Sequence, residues 1–226
     1  FPRPRQNPGR RRGAGHNKPE YIHLVIEALK LAFADRHRYY GDPNFVNVPM
    51  DTLLSPEYAA RRRQMIRSGE AWPELPPAGN AGDAVQAKLP DPTRGEPVPA
   101  ADTSYVCVID RFGNGFSATP SDASSETPVI PGTGLCPSSR GSQSWCDPQL
   151  PASVAPGKRP RLTPSPALAM KDGKLYMPFG SPGNDIQPQA MLQVFLNVVA
   201  FDIDLQAAGE APRFATYSFP GSSEPH

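Results

Sequence analysis

The pair Asp102-Thr103 stands where a proline-rich stretch gives way to the first alternating segment, "TSYVCVID". A threonine hydroxyl is a poor nucleophile until a base removes its proton, and its own α-amino group becomes that base when threonine is the first residue of a chain. A free α-amine titrates near about 7.7–8.0, which suits proton transfer close to neutrality. Cleavage before Thr103 would therefore create a nucleophile with a built-in base. The pair is also a common turn cap, and the pattern alone leaves both interpretations open.

Two predicted hairpins must position Thr103. In the first, residues 103–110 alternate, residues 111–114 turn and residues 115–119 return. In the second, "ALAM" and "LYMPFGS" flank the turn "KDGK". Alternation around short polar turns predicts antiparallel pairing. We therefore expect Thr103 to begin an edge-accessible strand that pairs with residues 115–119.

Helices are predicted before and after the hairpins. Asn17 and Glu20 have the spacing of a capping box for a first helix, which Gly41 and Pro43 end. Its predicted apolar face comprises Ile22, Val25, Ile26, Leu29 and Phe33. Ser55 should cap a second helix and Asp204 a short last one. Between them, a helix after "PGND" has an apolar face of Leu192, Phe195, Leu196 and Val199. Helices packed on antiparallel sheets give an α+β layered fold.

Composition argues against several classes of function. The net charge of +1 favours neither nucleic acid nor an anionic membrane as a partner. The three cysteines form no CxxC pair, so neither a disulfide scaffold nor a zinc site is expected, and no motif calls for a cofactor. No run approaches the roughly 18 apolar residues of a membrane span. No signal peptide is apparent, which favours a cytoplasmic location.

Two segments cannot bury a core. Residues 1–16 hold five arginines, three prolines and no acidic residue, and are expected to be a disordered basic tail. Residues 68–102 lose all periodicity, are rich in proline and form a predicted linker that ends at the processing site. They separate a helical region, 17–67, from a region of hairpins and helices, 103–226.

Five motifs in the same order resemble the γ-glutamyltransferase family of N-terminal-nucleophile hydrolases. "YIHLVIEALKLAFADRHRYYGDPNFVNVP" and "LLSPEYAARRR" are similar to the end of that family's large subunit, and "DTSYVCVIDRFGN" to the start of its small subunit. "APGKRPRLTPSPALAMKDGKLYMPFGSPGND" resembles its substrate-binding and oxyanion segment, and "EAPRF" a later signature. The resemblance implies an αββα sandwich, here incomplete, and a small-molecule amide substrate. It also implies self-cleavage into a heterodimer of large and small subunits.

The resemblance also implies roles for individual residues. Thr103 matches the nucleophile, and Ser121 falls where the family has a threonine that orients it. Gly183 matches an oxyanion-hole position, and its neighbour Asn184 replaces a second glycine but tolerates positive φ. Substrate-binding hydroxyls are expected at Thr163 and Ser181. Ser121 could equally be a loop hydroxyl, and Thr163 a strand-edge residue before Pro164.

One departure from the family pattern concerns the substrate. γ-Glutamyl enzymes have an acid that grips the substrate's α-amino group, whereas the aligned segment here is "PSSRGSQSW", which has no carboxylate. Arg140 with Gly141 resembles the variant of acylase-like branches that remove glutaryl groups. We therefore expect Arg140 to bind substrate, with a surface loop arginine as the alternative. Pro120, Asp122 and Ala123 also depart from the pattern.

Two hypotheses follow. The first is a self-processing amide hydrolase or acyltransferase acting on γ-glutamyl or glutaryl-type amides through Thr103. The second is a truncated or pseudo-enzymatic fragment without turnover, because the family's long N-terminal part and a further C-terminal stretch are not found in this chain. The residues support the first hypothesis, and the missing segments support the second.

Overall fold

Helix α1, Pro19–Tyr39, is the longest helix of the computed structural model, which describes residues 15–82, 103–122 and 127–222. The predicted cap at Asn17 is wrong. Lys18 is the N-cap, while Asn17 has φ 54 and its side-chain amide donates to the carbonyl of Pro212 over 2.9 Å. Pro19 decides the start, because proline suits the first helical position and keeps the residue before it extended.

The main core forms along α1. Tyr21, Val25, Leu29 and Phe33 are buried with Phe219, whose ring stacks on that of Phe33 at 3.8 Å. Ile22 and Ile26, from the same predicted face, are only partly buried. This core joins the N-terminal helix to the C-terminal end of the described chain.

Two shorter helices follow α1: α2, Met50–Leu53, and α3, Pro56–Arg63. The predicted cap of α3 is confirmed, because the Ser55 side chain accepts from the backbone amide of Tyr58. Residues 68–82 contain no helix and pair only through an isolated bridge between Arg67 and Glu70.

The irregular segment 68–82 is nevertheless hydrogen-bonded to polar side chains of α1. Lys30 donates to the carbonyl of Trp72 over 2.6 Å, and the amide of Gly79 donates to Asp35 over 2.8 Å. These contacts bury a side of α1 that lies outside its predicted apolar face. The rest of the predicted linker, residues 83–102, lies outside the described residues, as do residues 1–14 of the predicted tail.

The two predicted hairpins are confirmed. Strand β1, Val106–Ile109, pairs antiparallel with β2, Gly115–Ala118. Strand β3, Ala167–Lys171, pairs antiparallel with β4, Lys174–Phe179. Among the described residues each sheet has two strands, so the architecture shown is a mixture of helices and antiparallel hairpins. No helix in this part of the chain is long and apolar enough to cross a membrane.

Helix α4, Gln187–Val199, buries polar residues more fully than its predicted apolar face. Leu192 and Leu196 are only partly buried against the main core. Gln189 and Gln193 are buried. The side-chain amide of Gln189 bonds the backbone N–H and C=O of Thr216, and that of Gln193 bonds those of Phe214, at 2.7–3.1 Å. The C-terminal segment thus lies along α4 and is held there by hydrogen bonds from two glutamine side chains. Helix α5, Leu205–Glu210, begins at Asp204, whose side chain caps it as predicted.

Candidate active site

Thr103 lies three residues before β1 and beside Ser121, which follows the end of β2. The two residues form an isolated antiparallel bridge, and the Thr103 Oγ1 is 2.7 Å from the Ser121 Oγ. The amide of Ser104 donates to the carbonyl of Pro120 over 3.0 Å and continues the pairing. Thr103 therefore pairs with Ser121 and not with the predicted partners 115–119, of which residues 115–118 form β2 and pair with β1. Both side chains are half-buried, whereas Asp102 lies outside the described residues.

Arg140 reaches this hydroxyl pair from a 3-10 turn, Ser139–Gln143. Its Nε and Nη2 donate to the carbonyl of Ser121 over 2.8 and 2.5 Å, and Nη2 also contacts the Ser121 Oγ. Ser138 caps the turn and donates to Asp122 over 2.7 Å. One edge of the guanidinium thus holds both the carbonyl and the hydroxyl of Ser121.

The loop before α4, which carries the predicted oxyanion residues Gly183 and Asn184, has an unusual backbone conformation. Gly183 has φ 118 and Asn184 has φ 47, so two successive residues are in the positive-φ region. Asparagine is one of the few side chains that adopt this region readily. Ser181 is half-buried, and its hydroxyl donates to the carbonyl of Pro182 over 2.9 Å.

A close contact brings the Thr103 segment to this loop. A Cβ placed on Gly180 would lie 2.3 Å from the ring of Tyr105, so only glycine lets this ring pack against the backbone at position 180. The Tyr105 hydroxyl is 2.9 Å from the Ser117 Oγ, which fixes the ring against β2. The end of β4 therefore packs two residues away from the candidate nucleophile.

Thr163 is buried and bonded to the turn that carries Arg140. Gln143 donates to the Thr163 Oγ1 over 3.0 Å and accepts from its amide over 3.2 Å. This contact joins the predicted substrate-binding loop to the Arg140 turn. Among the hydrogen bonds of the described residues, none joins Thr163 directly to Thr103.

A buried group of charged residues lies directly behind these loops, and sequence reasoning missed it. Asp185 accepts from Arg36 over 2.6 Å and from both the amide and the hydroxyl of Ser222 over 2.8 Å. Burial raises the pKa of the Asp185 carboxyl, but Arg36 and Ser222 outweigh it, so this pKa lies below its usual value. Arg161 donates to Ser222 over 3.1 Å and to the Nδ1 of His37 over 2.9 Å.

Arg161 is the most buried cation of this group. Burial, together with the neighbouring Arg36, lowers its pKa to about 9. Arg36 and Asp185 are 149 positions apart, so no short-range pattern could have paired them. Tyr105 and Gln143 were missed for the same reason: their importance follows only from contacts with Gly180 and Thr163, which are distant in sequence.

The arrangement suits acyl transfer. It offers a hydroxyl at a chain position that cleavage could turn into an N-terminus, a second hydroxyl and a guanidinium beside it, and a positive-φ loop next to the same strand. Among residues 15–82, 103–122 and 127–222 there is no group of three or more histidine, cysteine, aspartate or glutamate side chains that could hold a metal ion.

Comparison with known proteins gives one consistent result. A family model described as Gamma-glutamyltranspeptidase matches residues 10–224. The chain is 36% identical over 207 residues to an Acylase ACY 1 proenzyme of Pseudomonas sp. strain SE83, covering 89% of this chain and 34% of that protein. It is 30% identical over 210 residues to a Glutathione hydrolase proenzyme of Bacillus subtilis, covering 88% of this chain and 34% of that one.

A solved structure agrees. The cephalosporin acylase from Bacillus halodurans superposes with a TM-score of 0.60 at 30% identity, covering 87% of this chain and 33% of that one. The chain thus spans about a third of the length of the curated relatives it matches.

Proposed function

The chain belongs to the γ-glutamyltranspeptidase family, and from this membership and the contacts of Thr103 we propose that it carries the nucleophile of a self-processing amide hydrolase or acyltransferase. The observation that carries the proposal is the 2.7 Å contact between the hydroxyls of Thr103 and Ser121. It puts a proton donor and acceptor beside the hydroxyl that must react. We further propose that the complete protein forms the αββα sandwich of N-terminal-nucleophile hydrolases, to which these two hairpins contribute.

Processing would precede catalysis. The Thr103 Oγ attacks the carbonyl carbon of Asp102, and the peptide C–N bond breaks to leave an ester at Oγ and a free α-amine on Thr103. Water then hydrolyses the ester, so residue 102 ends in a carboxylate and Thr103 becomes an N-terminus. The products are a large and a small subunit that stay together as a heterodimer.

Turnover would use the same hydroxyl. The α-amine takes the hydroxyl proton as Oγ attacks the substrate's amide carbonyl, and returns it to the departing amine. Water or an acceptor amine then breaks the acyl ester. We assign Ser121 to orienting the Thr103 hydroxyl, and the Gly183–Asn184 backbone to the oxyanion, where one donor contributes a few kcal/mol.

The substrate class we propose is a γ-glutamyl or glutaryl-type amide, recognised by Arg140, Thr163 and Ser181. The Nε edge of Arg140 is engaged by Ser121. A guanidinium has a second edge, which matches the geometry of a carboxylate such as that of a glutaryl group. The sequence similarity of the chain to both an acylase proenzyme and a glutathione hydrolase proenzyme supports this pair of substrate types.

A second candidate is that the 226-residue chain on its own has no turnover. Exposure of the first hairpin favours this reading, since Val108 is 55%, Phe112 75% and Phe116 60% accessible. An apolar hairpin this open is typical of a sheet that needs further protein to cover it.

The proposal is tested by intact-mass spectrometry of the complete gene product. The wild type should split before Thr103, and Thr103→Ala should stay whole because no hydroxyl remains to make the acyl shift. Thr103→Ser is the matched control and should still split. Cleavage that persists in Thr103→Ala would assign the cut to an external protease and remove the nucleophile assignment.

A further inference from the structure

Four elements meet at the buried charged group formed by Arg36, His37, Arg161, Asp185 and Ser222. Arg36 and His37 belong to α1, and Arg161 belongs to the loop that leads to Thr163. Asp185 directly follows Asn184 in the 3-10 turn before α4, and Ser222 belongs to the C-terminal segment. Asp185, Arg161, His37 and Ser222 are each less than a tenth exposed. Apart from the contact between the neighbours Arg36 and His37, the hydrogen bonds described for this group join segments that are distant in sequence.

We propose that Arg36, on the N-terminal side of the processing junction, is a positioning residue for the loops that carry Gly183 and Thr163. This inference rests on the proposed function for its kinetic consequences, although not for its structural ones. Arg36 reaches the oxyanion loop through Asp185, which directly follows Asn184. It reaches the Thr163 loop through Ser222, which bonds both Asp185 and Arg161.

The geometry explains why a distant charge is needed at this point. Asn184 is a non-glycine residue at positive φ, and such a backbone conformation persists only where surrounding contacts over-determine it. Asp185 supplies those contacts with three accepted hydrogen bonds. A buried carboxylate left without its cation is strongly destabilising, so Arg36 is required for Asp185 to stay in place.

The chain offers a matched control on the same helix. Arg62 and Asp35 form a second buried pair at 3.1 Å, with Asp35 one position before Arg36. Arg62 also donates to the carbonyls of Leu31 and Pro77, and Asp35 accepts from Gly79. These contacts all lie N-terminal to Thr103. Loss of this pair should cost stability without reaching the two loops.

The test compares Arg36→Gln with Arg62→Gln in the complete gene product by hydrogen exchange and kinetics. Arg36→Gln should speed amide exchange in peptides covering 161–165 and 180–186 by about tenfold or more, whereas Arg62→Gln should speed it only in 62–82. With activity present, Arg36→Gln should lower kcat between about tenfold and a hundredfold, because the oxyanion contact is made only in the transition state, and should raise KM by a smaller factor through the Thr163 loop.

Arg36→Lys keeps the charge and is the second variant if Arg36→Gln does not fold. Amide exchange in both loops of Arg36→Lys should be faster than in the wild type. Where Arg36→Gln folds, exchange in Arg36→Lys should also be slower than in Arg36→Gln. Exchange in both loops at the wild-type rate in these variants, or equally raised by Arg62→Gln, would overturn the positioning role. A wild type that neither self-cleaves nor hydrolyses amides would refute the proposed function, and the exchange result would still decide this inference.

Discussion

Arg140 holds Ser121 in the structure and, under the proposed function, would also bind the acyl group of the substrate. Its Nε edge bonds the carbonyl of Ser121, so it is fixed beside the hydroxyl pair and does not project freely from a surface loop. The segment that carries it, "PSSRGSQSW", supplies no carboxylate for a substrate's α-ammonium group. The same cation that holds Ser121 would therefore also favour an anionic acyl group.

Glutaryl amides should be better substrates than γ-glutamyl amides for the complete gene product. A γ-glutamyl amide brings an ammonium without a partner, and an unpaired charge in a partly desolvated pocket should lower kcat/KM by about tenfold or more. Hydrolysis of glutaryl- and γ-glutamyl-p-nitroanilide measures this directly.

Arg140→Gln is the matched variant for that comparison. It keeps hydrogen-bonding capacity but removes the charge, so the preference for the glutaryl compound should shrink. A wild type that clearly prefers the γ-glutamyl compound would exclude the acylase-type pocket and favour a transpeptidase-type one.

The two hairpins and α4 position the site through contacts between their ends. β1 begins three residues after Thr103, β4 ends just before Gly180, and α4 begins after the 3-10 turn that follows Gly183. The ring of Tyr105 occupies the space that a side chain at position 180 would need. The distance between the Thr103 segment and the loop that carries Gly183 is therefore set by one glycine and one aromatic ring.

Gly180→Ala should separate these two elements. The new Cβ would lie 2.3 Å from the Tyr105 ring, which cannot yield without breaking its contact with Ser117. Forced overpacking of this kind costs about 1–3 kcal/mol. We expect a lower melting temperature and slower self-cleavage of the complete gene product.

Gly209→Ala is the control for that substitution. Gly209 lies in α5 with open space at its Cβ position, so alanine should leave processing unchanged. Equal processing rates in the two variants would show that the contact between Gly180 and Tyr105 does not position Thr103.

The described part of the molecule is held together at its centre by charge as well as by apolar packing. The main core joins α1 to Phe219, and the ion pair of Arg36 with Asp185 joins the same helix to the loop before α4. Both connections cross from the N-terminal to the C-terminal side of Thr103. They would keep the two subunits associated after a cut before Thr103.

Acid should weaken this association through Asp185. Its pKa lies below the usual value of about 3.9, so its stabilising contribution is complete above that pH and is lost as the pH falls through the lower folded-state value. Melting temperatures of wild type and Asp185→Asn, measured from neutral pH to about pH 2, should therefore converge below pH ~4.

The test follows the difference in melting temperature between wild type and Asp185→Asn at each pH. Burial raises the pKa of Asp35 despite its contacts with Gly79 and Arg62, and a raised carboxyl pKa changes stability with pH in the opposite direction. Subtraction removes this common contribution. A difference that stays constant from neutral to acidic pH would contradict the role given to Asp185.

Local sequence was enough for the elements whose signals lie within a few residues. Alternation around "RFGN" and "KDGK" specified both hairpins, and Ser55 and Asp204 specified the starts of α3 and α5, because strand alternation and helix caps involve near neighbours. Family motifs in order were enough to indicate the candidate nucleophile and the family. Only the cap at Asn17 failed among the predicted caps, because Pro19 two residues later fixed a different start.

Tertiary structure alone decided which polar groups are buried and what each one contacts. Gln189 and Gln193 read as solvent-facing positions of an amphipathic helix, yet they are buried because the backbone around Thr216 and Phe214 satisfies their amides. Arg36 and Asp185 carry no signal of their pairing, since 149 positions separate them. A buried polar group is stable only with a partner, and that partner is chosen by the fold and not by neighbouring residues.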